Sequence, residues 1–261
     1  MRIRLIFLLT LLMTGTGAAM ASGAEAGEPA ALPAQAEQLF ALANQTRAAH
    51  GLGRLEWDPA LAAAALKHCE RMSVEGPIAH RYAGELDLTE RAGSAGAHFS
   101  LIEENIAVGV YPASIHEGWM NSPDHRANLL NGDVDRVGVA VVARGSVIFA
   151  VADYARAVQS LSQAQVEERF VELLRARRVQ VVNDRSRLAE ARAYCASTGK
   201  FQGPDAPGFL IRWQNPDISQ LPAPLVSRLA TGDYKQAVVG TCEPQDVQSG
   251  FTIYRVAVLL F

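Results

Sequence analysis

The sequence has no excess of basic residues and few aromatic ones. Of 261 residues, 24 are Lys or Arg, 27 are Asp or Glu and 7% are aromatic, and the formal net charge is -3 at pH 7. A general nucleic-acid binder needs a basic face that displaces phosphate counterions, so we expect no nucleic-acid partner. Beyond the N-terminus the sequence also lacks an apolar run of the roughly 18 residues that a membrane helix needs. We therefore expect no integral membrane segment in the mature protein.

The N-terminal residues have the pattern of an export signal. Two arginines precede an apolar run over residues 5–13, and a stretch of small residues ends with Ala19-Met20-Ala21. A short apolar run between positive charge and an A-x-A site is typical of a cleavable secretory signal. The sequence thus predicts a signal peptide over residues 1–21, a flexible linker over 22–33 and a secreted protein, either periplasmic or extracellular.

Cysteine is scarce, and the three present are Cys69, Cys195 and Cys242. An exported protein is exposed to conditions in which disulfides form, but an odd count allows at most one intramolecular bridge. We favour Cys195–Cys242 because both lie in the second half of the chain, and we interpret Cys69 as a buried helix residue. The alternative is that all three remain reduced and packed.

Apolar periodicity predicts an α+β fold in the first half. A helix is expected over residues 34–50, and Asp58-Pro59 marks the N-cap and first turn of a second, Ala-rich helix. Alternating apolar residues on both sides of Arg144-Gly145 predict a β-hairpin. Between the second helix and this hairpin we expect an irregular loop and further helices at 86–92, 113–121 and 125–130.

The sequence of the second half resembles a degenerate repeat of the first. The segment 164–170 is similar to 34–40 at the head of a helix, and the run from Asp184 to Cys195 parallels that from Asp58 to Cys69. The alternative is that amphipathic Ala-rich helices resemble each other without common origin. All six histidines lie at or before position 125. We therefore expect residues 158–261 to form an α+β region, a degenerate repeat that lacks the histidines.

Three segments resemble the CAP superfamily of cysteine-rich secretory, antigen 5 and pathogenesis-related-1 proteins, in its bacterial SCP-like extracellular form. They are Ile78-Ala-His80, Glu103-Glu-Asn-Ile-Ala107 and the long signature Trp119-Met-Asn-Ser-Pro-Asp-His-Arg-Ala-Asn-Leu-Leu-Asn131. The resemblance implies a CAP domain over residues 34–157. It also implies a three-layer α-β-α sandwich (CAP/PR-1-like) with a polar cleft lined by two histidines and acidic partners, which here are His80, His125 and Glu104.

The sequence departs from the family pattern at two positions in this cleft. The second family glutamate, three residues after the tryptophan, is replaced by Ser122, and the glycine before the Glu-Asn pair is replaced by Glu103. Asn105 and Arg126 complete the residues expected to line the cleft. The structural alternative is that Asn105 fixes a loop and that Arg126 anchors its loop by pairing with a carboxylate. The other histidines, His50, His68, His98 and His116, are interpreted as surface residues.

The chemistry of the three central side chains leaves several uses open. Two neutral imidazoles, His80 and His125, can bind Zn²⁺ or another divalent cation, with Glu104 orienting one ring. Without metal, the same three residues would be the catalytic groups of an acid/base enzyme. A purely structural histidine pair is the third possibility. No organic cofactor is expected, and no G-x-S-x-G nucleophile elbow is present.

Three functions follow from these possibilities. The first is a secreted binding module that holds a divalent cation and a small-molecule, lipid or envelope-derived ligand, as the resemblance to lipid- and sterol-binding CAP relatives suggests. The second is a metal-assisted or acid/base hydrolase that acts on envelope or extracellular material. The third is a structural or interaction protein with a vestigial cleft. We favour the binding module because the set of acids is incomplete and no nucleophile is visible.

Overall fold

The structure is a computed structural model that describes residues 33–182, 184–199, 206–245 and 247–261. The predicted signal peptide and residues 22–32 of the predicted linker lie outside the described residues. No helix within the described ranges is long and apolar enough to cross a membrane.

The first half contains five helices and a four-stranded sheet. The helices are α1 (Ala34–Ala49), α2 (Pro59–Val74), α3 (Leu88–Ser94), α4 (Pro112–Asn121) and α5 (Pro123–Leu129). The strands are β1 (Glu56–Trp57), β2 (Phe99–Gly109), β3 (Arg136–Arg144) and β4 (Val147–Ala157). The helices predicted at 34–50, 86–92, 113–121 and 125–130 are confirmed with boundaries that differ by at most two residues, and the second helix and the hairpin around Arg144-Gly145 are also confirmed. Asp58 is indeed the N-cap of α2, where its carboxylate accepts hydrogen bonds from two backbone N–H groups.

The sheet has the order β1-β3-β4-β2, with β1 parallel to β3 and the other pairs antiparallel. One face packs on α1, α4 and α5 through a core that includes Leu39, Trp119 and Tyr154. The opposite face packs on α2 so closely that a Cβ at Gly138 would lie 2.0 Å from the backbone nitrogen of Ala62. These layers form the expected three-layer α-β-α sandwich.

The expectation of an irregular loop before α4 is wrong. Residues Phe99–Gly109 form β2, an edge strand that pairs along its length with β4. Glu103, Glu104 and Asn105 are consecutive polar residues in the middle of this strand. They interrupt the alternation of apolar and polar residues by which a strand is recognised. Both faces of the strand carry polar groups at this point. The alternation that would have predicted a strand is therefore missing from the sequence.

The second half repeats the sheet topology of the first. It contains α6 (Gln163–Arg175), β5 (Gln180–Val181), α7 (Arg185–Ala196), β6 (Phe209–Asn215), α8 (Ala223–Leu229), β7 (Gln236–Cys242) and β8 (Tyr254–Leu260). Its sheet has the order β5-β7-β8-β6, with β5 parallel to β7. A Cβ at Gly240 would lie 2.4 Å from the backbone nitrogen of Arg192 on α7. Gly240 therefore allows the same close packing of helix on sheet as Gly138 does in the first half. Within the described residues this half has no counterpart of α3. The division at 157/158 stays a prediction.

The cysteine pairing expected from the sequence is confirmed. Cys195 and Cys242 form a disulfide between α7 and β7, and Cys69 is a free, buried thiol on α2. The alternative of three reduced cysteines is therefore excluded.

Candidate functional site

Glu104 lies at the centre of a cluster of ionisable side chains. Its side chain is 3% exposed, and Oε1 accepts a hydrogen bond from Nδ1 of His80 at 2.8 Å. The other oxygen, Oε2, accepts a hydrogen bond from Nη2 of Arg91 at 2.5 Å. This buried carboxylate contacts His80, whose side chain is 59% exposed. The pair with Arg91 is therefore a buried ion pair next to the surface.

Arg91 connects Glu104 to the loop that carries His80. Its Nη1 donates to the backbone carbonyl of His80 at 3.2 Å and to that of Leu86 at 3.4 Å, while Nη2 holds the carboxylate. The residue lies on α3, whose N-cap Asp87 and third residue Glu90 form a capping box. The position of this short helix thus sets the geometry of both His80 and Glu104.

His80 is a histidine with one ring nitrogen held and the other free to bind. The hydrogen bond to Glu104 raises the pKa of His80, although partial burial opposes it. Donation from Nδ1 assigns the neutral ring to the tautomer whose lone pair is on Nε2. With 59% of the side chain exposed, the ring is accessible to a ligand from solvent.

His125 is held near His80 by amide side chains. Nδ2 of Asn105 donates to the carbonyl of His125 at 2.8 Å, and Nδ2 of Asn128 donates to the carbonyl of Glu104 at 3.2 Å. These bonds attach the start of α5 to the β2 edge. Burial lowers the pKa of His125, and the positive charge of His80 lowers it further. The two histidines are thus electrostatically coupled across the edge strand.

The remaining residues expected to line the cleft have different surroundings. Glu103 faces the opposite side of β2 from Glu104 and accepts from Nδ2 of Asn131 at 3.0 Å, and its burial raises its pKa. Ser122 joins α4 to α5, with its backbone carbonyl accepting from the N–H of Arg126. Arg126 itself is exposed, and no ion pair of this side chain occurs among the described residues.

The expected anchoring role of Arg126 is wrong, and Arg47 performs it instead. Arg47 on α1 is 1% exposed. Its guanidinium donates to four backbone carbonyls, those of Gly53, Leu129, Asn131 and Val134. Arg126 is exposed on α5 and forms no ion pair with a carboxylate of the described residues. A buried arginine of α1 therefore fixes the end of the signature and the residues that follow it.

The interpretation of His68 as a surface residue is also wrong. It is completely buried on α2, with Nδ1 2.9 Å from Oε1 of Glu85 and Nε2 3.0 Å from the carbonyl of Ala79. Nε2 also lies 4.0 Å from Oε2 of Glu104. The sequence does contain an indication that His68 is buried, because position 68 continues the helical spacing of the buried Leu61, Ala65 and Met72. His116 is half-buried with its Nε2 2.8 Å from Oγ1 of Thr46, whereas His50 and His98 are exposed.

Asp153 is a second acid in the site that sequence reasoning missed. It lies directly opposite Glu104 in the β2–β4 pairing, on the same face of the sheet. It is fully buried, and its carboxyl group is close enough to that of Glu104 for a hydrogen bond when one of the two is protonated. Burial raises the pKa of Asp153 well above its ordinary value, and the negative charge of Glu104 raises it further. Burial and the charge of Glu104 thus both favour the protonated form of Asp153.

We expect Asp153→Asn to gain stability relative to the wild type as the pH rises. The folded-state pKa of Asp153 lies above the ordinary 3.8, so the folded wild type holds this proton more tightly than the unfolded chain does. The corresponding stability is present below the unfolded pKa and is lost as the pH rises through the folded pKa. An amide has the shape of the protonated acid and does not ionise. Urea denaturation from about pH 4 to about pH 8 measures this difference in unfolding free energy.

The control is Asp233→Asn at an exposed position, for which the difference from the wild type should stay constant over the same range. If the Asp153→Asn difference also stays constant, the raised pKa of Asp153 is refuted.

The second sheet does not reproduce this site. If Gly138 and Gly240 are equated, the strand registers place Ala257 where Asp153 lies and Arg212 where Glu104 lies. Arg212 donates to the carbonyl of Tyr194 at 2.6 Å, which is a structural contact. The acid and histidine chemistry therefore belongs to the first half.

A groove of about 940 Å³ lies between the two halves, away from the predicted cleft. Both halves contribute polar walls, with Ser100 and Arg156 on one side and Gln165 and Asn215 on the other. None of the residues expected to line the histidine cleft borders this groove.

Comparison with known proteins agrees with this architecture. Residues 40–154 match the model of the CAP family, described as the cysteine-rich secretory protein family. The chain is 37% identical over 107 residues to the uncharacterized membrane protein YlbC of Bacillus subtilis. The matched region covers 40% of this chain and 31% of that protein. It is 30% identical over 123 residues to the uncharacterized protein YkwD of the same organism, covering 46% and 47% respectively. The chain thus spans about a third to a half of these relatives.

Among solved structures, the chain is similar to an extracellular protein containing an SCP domain from Bacillus anthracis. The identity is 31% and the TM-score 0.45, over 47% of this chain and 40% of that one. An outer surface protein from Borrelia burgdorferi is 23% identical with a TM-score of 0.44, over 46% and 91% respectively. The segment 40–154 is therefore a CAP domain.

Proposed function

We propose that the CAP domain binds a divalent cation, such as Zn²⁺, through Nε2 of His80 and of His125. The observation that carries the proposal is the hydrogen bond from Nδ1 of His80 to the buried carboxylate of Glu104. In metal sites a ligating histidine almost always donates its other ring N–H to a carboxylate or carbonyl, which fixes the ring and increases its basicity. His80 has this arrangement with its free nitrogen facing outward.

The donor set fits a weakly held, open site. Within the described ranges, no three or more His, Cys, Asp or Glu side chains are grouped so as to hold a metal. The protein would therefore supply two nitrogen ligands, and water or a ligand would complete the coordination. A bound Zn²⁺ would supply Lewis acidity toward an oxygen of that ligand. Glu104 orients His80, Arg91 holds Glu104, and the two amide residues Asn105 and Asn128 hold α5 in place.

We expect His80→Ala and His125→Ala each to weaken Zn²⁺ binding at least about tenfold, because each removes half of the protein ligands. Isothermal titration calorimetry with ZnCl₂ measures the affinity. His50→Ala is the matched control, since His50 is exposed and its ring is hydrogen-bonded to the backbone carbonyl of Thr46, away from Glu104. Circular dichroism should show that all three variants remain folded. Wild-type affinity equal to that of both site variants refutes the proposal.

The affinity should also fall as the solution is acidified. Protons compete with a metal for imidazole nitrogens. Because the pKa of His80 is raised by Glu104, this competition begins at a higher pH than for an isolated histidine. Glu104→Gln removes the cause of the raised pKa and should move the pH dependence of binding downward.

The acid/base alternative is favoured by a different observation. The environment raises the pKa of His80 and lowers that of His125, and divergent pKa values are characteristic of acid and base partners. A simple test is hydrolysis of p-nitrophenyl acetate in the presence of a chelator. Turnover that is lost in Glu104→Gln but retained in His50→Ala supports catalysis without metal, whereas no turnover above background leaves binding as the function.

We also propose that the protein is exported and that the cleft receives a small-molecule, lipid or envelope-derived ligand. The N-terminal pattern of the sequence supports export, and the extracellular and outer-surface proteins that the chain resembles are consistent with it. Mass spectrometry of the protein recovered from culture medium or periplasm would identify cleavage after Ala21. Organic extraction of the same sample would reveal a co-purified lipid.

A further inference from the structure

We infer that residues 248–252 of the second half position α3 and thereby hold Arg91 on Glu104 and His80. This gives the second half a function in the site of the first, although it lacks histidines of its own. The functional meaning of the inference rests on the proposed site at His80. The contacts that carry it do not depend on a bound cation.

The segment is attached to the first half by several contacts. The rings of Phe251 and Phe99 pack edge to face with centroids 5.3 Å apart. The N–H of Thr252 donates to the carbonyl of Phe99 at 2.9 Å, and Oγ1 of Thr252 lies 3.1 Å from Nδ1 of His98. Phe99 is completely buried at the start of β2. The segment therefore adds to the edge strand that carries Glu104.

Residues 248–252 also pack directly on α3. Nε2 of Gln248 donates to Oγ1 of Thr89 at 3.3 Å. A Cβ on Gly250 would lie 2.2 Å from the carbonyl oxygen of Thr89, and one on Gly93 would lie 2.8 Å from Cα of Gly250. Gly250 also has φ +93, a conformation that favours glycine. Only two glycines allow the backbones to approach this closely.

The geometry of α3 transmits this contact to the site. Thr89 and Gly93 are four residues apart and lie on one face of the helix, which meets the segment. Arg91 lies on a different face, where it contacts the carboxylate of Glu104 and the carbonyl of His80. The helix has only 7 residues, so a shift of the segment moves the whole helix. Displacement of α3 would withdraw Arg91 from Glu104 and loosen His80.

The test is Gly250→Ala in the full chain, with Phe251→Ala as a second variant that keeps the backbone conformation. In Gly250→Ala we expect amide hydrogen exchange in α3 to accelerate at least about tenfold, as for a helix that opens locally. We also expect the NMR signals of the Arg91 guanidinium to shift, because its contact with Glu104 is no longer fixed. Phe251→Ala should change both readouts in the same direction, less strongly.

Gly232→Ala is the matched control, because Gly232 also has positive φ (+76) but no atom within 4 Å of its Cβ position. It should leave both α3 exchange and the NMR signals of the Arg91 guanidinium unchanged. The inference is overturned if Gly250→Ala and Phe251→Ala are folded and leave both readouts at wild-type values. Neither readout uses Zn²⁺, so absence of metal binding in the wild type would overturn the proposed function alone.

Discussion

Replacement of Arg91 by alanine is expected to lower the free energy of unfolding by about 3–5 kcal/mol, the usual cost of removing one partner from a buried ion pair. The side chains of Arg91 and Glu104 are 6% and 3% exposed. Without the guanidinium, Glu104 remains buried beside a second carboxyl, Asp153, and the carbonyl of His80 loses a donor. Urea denaturation monitored by tryptophan fluorescence measures the loss.

Two further variants separate the buried pair from an ordinary loss of charge. Arg169→Ala breaks an exposed pair with Glu172 and should cost less than about 1 kcal/mol. The double variant Arg91→Ala/Glu104→Gln should recover part of the loss, because the glutamine needs no counter-ion. If Arg91→Ala costs no more than Arg169→Ala, the ion pair does not organise the site.

Removal of the disulfide by Cys195→Ala/Cys242→Ala is expected to destabilise the protein by about 4 kcal/mol. The bridge closes a loop of 47 residues in sequence, and the chain-entropy argument gives this magnitude for such a loop. The bridge joins α7 to β7 in the half that has the fewer helices. Urea denaturation of the wild type and the double variant measures the effect, and reductant should bring the wild type close to the variant.

Cys69→Ala is the control for the loss of sulfur without loss of a cross-link. Cys69 is buried, and burial raises the pKa of its thiol to about 12. The variant should lose about 1 kcal/mol, typical of a small core truncation, and the loss should be the same with and without reductant. A double variant as stable as Cys69→Ala would show that the bridge contributes little to the folded state.

The two halves show how one topology can keep or lose a site. Both sheets have the same strand order, and both pack a glycine against a helix at the corresponding position. The first half carries Glu104 and Asp153 on its outer strand pair, whereas the second carries Arg212 and Ala257. The fold tolerates either set because the packing of helix on sheet depends on the glycine and the apolar residues. The second half then contributes support through residues 248–252.

The sequence by itself determined the parts that depend on short-range patterns. Helical spacing and caps predicted the helices, and the alternation around Arg144-Gly145 predicted the hairpin. The long signature ending at Asn131 predicted the CAP domain that the family match confirms. The grouping of Cys195 and Cys242 in one half predicted the bridge. The helices, the hairpin and the signature are readable because each depends on residues close in the chain. The bridge joins residues 47 apart, and it was predicted because only these two cysteines lie in the second half.

Only the tertiary structure decided which side chains surround Glu104. Arg91, His68 and Asp153 come from α3, α2 and β4, and none belongs to a motif that the sequence singled out. Strand β2 was hidden because its centre is polar on both faces, and Arg47 anchors a segment more than 80 residues away. Burial and ion pairing depend on what packs against a residue from distant parts of the chain. These contacts form only when the helices pack on the sheet, so short-range sequence patterns do not predict them.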